Sequence, residues 1–176
     1  FNSLGDLNMM MGLNDFSAKE VINILGVDEL EKIFKFFGEE KEAKKVALRI
    51  VNERKKKKID TRALVDLIEK TKSKKNFRTH SATKIFQALR IFVNKEITEL
   101  INGVIFATKI LKPGGKVLVV SFHSIEDRIV KYFFSNFSKN KAKPSRYLPE
   151  SYGENPSLFE SYSNKIIKPT KNEIQR

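Results

Sequence analysis

"GGKVLVVSFHSIEDR", residues 114–128, decides the fold. From Lys116 to Phe122 the chain makes a continuous, β-branched apolar run of strand length. That is the pattern of a strand covered on both faces in a mostly parallel sheet. The run then stops in Ser121, His123 and Ser124, followed by Glu126, Asp127 and Arg128. Ligands of open α/β sheets sit beyond the carboxyl ends of the strands, so His123 stands where a site is expected. A helix is predicted to follow, with Ser124 as its N-cap and Asp127 returning a carboxylate to the cap N–H. Those two residues account for the capping, and His123 is left as the candidate functional group. One strand with one helix is half of an α/β layer. Its neighbouring strands are expected outside this chain or in the last forty residues, which hold four of the five prolines and read as loop. Within them "NKIIKP", 164–169, is a candidate edge strand.

Upstream, "KPGG" ends the longest periodic segment, Ser81 to about Leu111. Ile85, Leu89, Phe92, Val93, Ile97, Leu100 and Val104 keep helical spacing, which predicts one helix of ~45 Å bridging two lobes. On it Gln87, Arg90 and Asn94 form a polar stripe that suits either a buried network or a base-reading surface. The bland alternative is one solvated face, though Lys and Glu fill such faces elsewhere in the chain. Further upstream lie shorter helices. Ser17 with Glu20 makes a capping box, and Asp28 with Glu31 repeats it before Leu30, Ile33, Phe34 and Phe37. That helix is expected to stop at Gly38; Asp60 caps a later one carrying Leu64, Leu67 and Ile68. Residues 1–16 read as loop and 17–78 as a small α-helical module.

Charge is concentrated in that module. The 176-residue chain carries +13, and residues 41–79 hold fifteen Lys or Arg against five Asp or Glu, supplying +10 of it. The run Lys55, Lys56, Lys57, Lys58 is its densest part. Clustered cationic charge beside a globular core points to a polyanion, bound through phosphates and released counterions. The plain alternative is a solvated surface in a lysine-rich protein. Absence of cysteine excludes disulfides and thiolate chemistry. Two histidines, His80 and His123, do not make a metal set. No glycine-rich phosphate loop or GxSxG elbow appears, and no apolar run is long enough for a membrane span. A hydrolase built on Ser121 or Ser124 with His123 lacks an orienting acid, and such close neighbours cannot easily aim at one another. The chain begins at Phe1 and is expected to be a piece of a longer protein.

"TKIFQALRIFVNKEI", 83–97, followed by "LKPGGKVLVVSFHSIEDRIVK", 111–131, resembles the ribosomal RNA small-subunit methyltransferase H family. "FFGEEKEAKKVALRIV", 36–51, resembles that family's Tyr-Gly-Glu-Glu segment, and "IIKPTKNEI", 166–174, the stretch before its C-terminal signature. The resemblance covers nearly the whole chain. It implies an S-adenosylmethionine-dependent enzyme that methylates N4 of a cytidine in the decoding region of small-subunit rRNA, in the cytoplasm. The implied fold is α/β, a Rossmann-like methyltransferase domain with an inserted α-helical substrate-recognition domain. Residues 1–16 would then close the N-terminal part of the catalytic domain, 17–78 be the insert, and 79–176 its C-terminal part.

The implied partners are small-subunit rRNA or the ribosomal subunit, with no membrane and a homodimer as the assembly. His123 and Asn8 become the catalytic candidates; Arg90, Gln87, Asn94 and the four lysines the RNA-binding ones. Asn8 stands in "LGDLNMMMG", 4–12, where the family has Asp, and Met10 where it has Arg. An amide accepts a hydrogen bond but cannot take a proton, which weakens a base role at position 8. No cofactor-binding residue is expected within these 176 residues, so this piece alone should be inactive. The rival reading is a noncatalytic RNA-binding or ribosome-assembly protein of the same fold.

Overall fold

Helix starts and stops written in side chains organise the first of the two units into which the chain divides, Phe1–Pro113 and Gly114–Arg176. A computed structural model describes residues 7–12, 15–72, 80–138, 158–160 and 170–174. In α1 (Ala18–Ile24), Ser17 Oγ accepts the Glu20 N–H at 3.3 Å and Glu20 Oε2 accepts the Ser17 N–H at 2.8 Å, the expected capping box. Hydrogen bonds from the Ser17 backbone and hydroxyl hold the Glu20 carboxyl below its usual range. α4 (Thr61–Thr71) starts as predicted, with Asp60 Oδ1 accepting the Ala63 N–H at 2.8 Å. α2 (Val27–Gly38) departs from expectation. Gly26, not Asp28, is its N-cap, and Glu29 Oε2 accepts the Gly26 N–H at 2.8 Å.

Gly38 ends α2, yet the left-handed residue is Glu39, φ +48°. The glycine answers to packing. α2 lies between α3 (Ala43–Arg54) and α5 (Thr83–Val93), and a Cβ at position 38 would sit 2.6 Å from the Lys84 carbonyl oxygen. Backbone cannot swing aside as a side chain can. Gly38→Ala is therefore expected to cost about 1–3 kcal/mol, the usual range for overpacking. Gly103→Ala, with nothing within 4 Å of the added methyl, should be neutral or mildly stabilising. Equal thermal midpoints for the two variants would refute the close-packing account.

Leu30, Ile33, Phe34, Val46, Ile50, Leu64, Ile68, Ile85 and Leu89 form the buried core of this unit. The single long helix expected over 81–111 is instead two, α5 and α6 (Glu96–Ile110). They part at Lys95, which takes left-handed φ +51°. Asn94 causes the break chemically: its Nδ2 donates to the Arg90 carbonyl at 2.9 Å, alongside its own backbone N–H. Such side chains compete with the helical ladder. α6 keeps only Val104 buried and leaves Ile101, Ile105, Phe106 and Ile110 exposed.

In the second unit, Leu118, Val120 and Phe122 are exposed while Val117, Val119 and Ser121 are half-buried. That is the alternation of a strand, but no strand forms among the described residues. A strand exists by pairing its N–H and C=O groups with a neighbour. Among the described residues the pairing is one parallel bridge, Ser138 to Phe159. "NKIIKP" lies outside the described residues; beyond it, the short α8 spans Lys171–Ile174. α7 (Ser124–Phe137) packs Phe133 and Phe134 on Phe159, with ring centroids 6.2 and 5.6 Å apart. No described helix is long and apolar enough to cross a membrane.

Candidate functional site

α3 buries Ala43, Val46, Ala47 and Ile50 and turns Lys44, Lys45, Leu48, Arg49 and Asn52 to solvent. The exposed run Lys55–Lys58 continues that face beyond the helix. Its seat is well fixed. Arg54, the last helical residue, donates from Nη1 to the Ile22 carbonyl at 2.8 Å and from Nη2 to that of Ile24 at 3.4 Å, closing the C-terminal end of α1. Just past the lysines, Asn23 and Ile59 exchange two hydrogen bonds, Ile59 N–H to Asn23 Oδ1 at 3.0 Å and Asn23 Nδ2 to the Ile59 carbonyl at 3.2 Å. Ile59 itself is buried. The four lysines thus bridge two anchored points. Lys56 lies 3.7 Å from Glu53, an exposed pairing of little energetic weight. Nothing in the sequence singled out Asn23 or Arg54, because their partners are backbone carbonyls and amides of remote residues.

The polar stripe turns out to be wired within the first unit. Gln87 Nε2 donates to the Phe37 carbonyl at 3.4 Å, and Arg90 grips Glu96 with two bonds of 2.8 and 3.2 Å. Asn94 reaches the segment that carries Asn8: its Oδ1 accepts the Met11 N–H at 2.7 Å and its Nδ2 donates to the Met9 carbonyl at 2.9 Å. Asn8 is exposed, and its Oδ1 accepts the Met10 N–H at 3.4 Å. Its main-chain carbonyl accepts from Ala18 N at 2.8 Å, tying the segment to the start of α1.

In the second unit the expected cap at Ser124 shifts by one residue. His123 is the N-cap of α7, its Nδ1 accepting the Glu126 N–H at 3.4 Å, while Glu126 Oε2 accepts the Phe122 N–H at 2.7 Å. Glu126 lies three residues past His123, so the reaching-back carboxylate belongs to it and not to Asp127, which instead pairs with Lys131 at 2.6 Å. Nε2 has no hydrogen-bond partner among the described residues, and Glu126 Oε1 stands 3.5 Å away. The histidine both caps a helix and keeps one ring nitrogen unspent.

The match to the MraW methylase family runs over residues 1–176. The chain belongs to that family. Proteins named ribosomal RNA small subunit methyltransferase H are similar to it over most or all of its length. That of Sinorhizobium fredii is 48% identical over 85% of this chain and 44% of its own length. Those of Agrobacterium fabrum and Bartonella henselae are 42% and 43% identical over 99% and 100% of this chain, and 51% of their own lengths. The chain spans about half the length of the curated relatives it matches. The basic face of α3, the Asn8 segment and His123 all fall within the matched region of the family.

Proposed function

We propose that this chain is the substrate-recognising part, and one wall of the active site, of a transferase that moves a methyl group from S-adenosylmethionine to N4 of a cytidine in small-subunit rRNA. The observation that carries the reading is the family match along the entire chain. The anchored basic face of α3 and Lys55–Lys58 supports RNA as the partner, since phosphate contacts supply the sequence-independent part of such binding. On this reading the enzyme works in the cytoplasm, residues 17–78 are the insert, and the remainder joins a Rossmann-like domain. The uncovered Leu118, Val120 and Phe122, and the outward isoleucines of α6, are apolar surfaces that a completed sheet and its helices would cover. A homodimer is the proposed assembly.

What the chain's own side chains offer is positioning of the cytidine. Asn8 presents an amide oxygen that can accept one N–H of the base amine. His123 keeps a buried Nε2 with no hydrogen-bond partner among the described residues, which a base flipped out of its stack would reach once the turn before α7 opens. His123→Asn separates the two duties of the histidine, because Asn is itself a strong N-cap. Stability should be unchanged within ~0.5 kcal/mol, whereas kcat of the whole enzyme should fall by about 10-fold with a flat pH profile. Full activity in that variant would reduce His123 to a cap. The reading as a whole is tested by incubating the whole protein with S-adenosylmethionine and small subunits lacking the modification. Mass spectrometry of digested rRNA should find one new methyl on a cytidine amine. RNA binding without methyl transfer would select the noncatalytic reading, which the amide at Asn8 and the thioether at Met10 favour.

A further inference from the structure

We infer that Asn94 is a positioning residue, an amide clamp that holds the loop bearing Asn8 in a single conformation against the end of α5. The inference rests on the proposed placement of Asn8 beside the cytidine. One side-chain amide satisfies a donor and an acceptor two residues apart, Met11 N–H at 2.7 Å and Met9 C=O at 2.9 Å, while its third bond, to the Arg90 carbonyl at 2.9 Å, fixes its own orientation. Only an amide can do this. Aspartate would face two carbonyls with a carboxylate, and alanine would make none of the three bonds.

The loop needs the restraint. Met9 adopts φ +59° and Gly12 φ +101°, and left-handed backbone at a residue with a side chain persists where the surroundings over-determine it. From the other side, Leu7 is buried and its carbonyl accepts Lys19 N–H at 2.7 Å, with Asn8 C=O on Ala18 N–H at 2.8 Å. Beyond the loop, Lys95 Nζ meets Asp15 Oδ2 at 2.8 Å. Consecutive residues of the α5–α6 break thus meet Met9, Met11 and Asp15, with the weight on Asn94, since the exposed Lys95–Asp15 pair adds little energy. The break also has its own brace, in the two-bond grip of Arg90 on Glu96. An uninterrupted helix would keep Asn94 inside its own hydrogen-bond ladder and lack the left-handed turn at Lys95.

Two measurements test the clamp. Hydrogen exchange on the 176-residue chain reads it directly: Asn94→Ala should speed exchange of the Met11 amide by roughly 10-fold or more, as expected for a lost hydrogen bond, and leave the Ala63 amide unchanged. In the whole enzyme the same variant should lower kcat by about 10-fold with KM for rRNA held within about twofold, the pattern of lost orientation without lost binding. Gly38→Ala, at an equal or lower thermal midpoint, should keep the wild-type kcat. Unchanged Met11 exchange would overturn the clamp. Faster exchange with wild-type kcat would overturn its role in placing Asn8, as would an equal fall in kcat from Gly38→Ala. A whole wild-type protein that transfers no methyl would refute the proposed function instead, and the exchange result would still decide the clamp.

Discussion

Lys72→Met is expected to destabilise the first unit by about 3–5 kcal/mol, the range for removing one partner of a buried ion pair. The side chains of Lys72 and Glu40 are 9% and 6% exposed, and Lys72 Nζ pairs with Glu40 Oε2 while also donating to the Ser81 carbonyl. Glu40 is tied down further, its Oε1 accepting the Glu42 N–H at 3.1 Å and its N–H donating to the Phe34 carbonyl at 3.1 Å. With the ammonium gone, a nearly buried carboxylate is left without its cation. Glu40→Gln should cost less, because the amide keeps an acceptor for Glu42. The Glu40→Gln, Lys72→Met double variant should recover much of the loss, since desolvation of both charges is then avoided. Urea midpoints at constant m-value measure all three. Single variants within about 1 kcal/mol of wild type would show that the pair is solvated in solution.

Local chemistry was legible in the sequence and long-range chemistry was not. Ser17, Glu20 and Asp60 start helices as predicted because a cap and its N–H lie three residues apart in any context. Asp28 and His123 show the limit of that rule. "GVDELE", 26–31, and "HSIEDR", 123–128, each offer two residues that can cap, and the choice between them falls on the carboxylate that reaches back, Glu29 to Gly26 and Glu126 to Phe122. The split of the long helix was hidden because its apolar spacing runs on through 97–104. The break itself is local, at Asn94 and left-handed Lys95, but the contacts it makes possible, from Asn94 to residues more than eighty positions earlier, lie in no window of sequence. The same holds for the stripe. Gln87, Arg90 and Asn94 were recognisable as something other than a solvated face, yet their partners, Phe37, Glu96 and the Met9–Met11 backbone, emerge only from packing. The strand over 116–122 is the opposite case. Its alternation is present in the burial pattern, but the neighbours that would make it a strand are not among the described residues.

Replacing Lys55–Lys58 by alanine is expected to weaken rRNA binding by roughly 10²-fold at 0.15 M salt. Each phosphate neutralised on a single strand contributes about −0.7 to the slope of log K against log salt. Four such contacts removed should flatten that slope by about 3 and, at physiological salt, take away close to two decades of affinity. The loss should be alike for cognate and scrambled RNA, because phosphates carry no sequence information. Lys45 and Arg49, exposed on α3, should each add a further decrement of about 0.7 in slope if they continue the track. Asn23→Ala separates charge from seating. It leaves every lysine in place but removes both bonds to Ile59, so the run loses the anchor on its downstream side. A preorganised ledge should lose severalfold in affinity with little change in slope, since the number of phosphates contacted stays the same while the ordering cost rises. A tethered cloud of lysines would not register the change. Filter binding or fluorescence anisotropy across 0.05 to 0.3 M salt distinguishes the two, and an unaltered slope in the quadruple variant would make Lys55–Lys58 a solvated surface with no part in holding RNA.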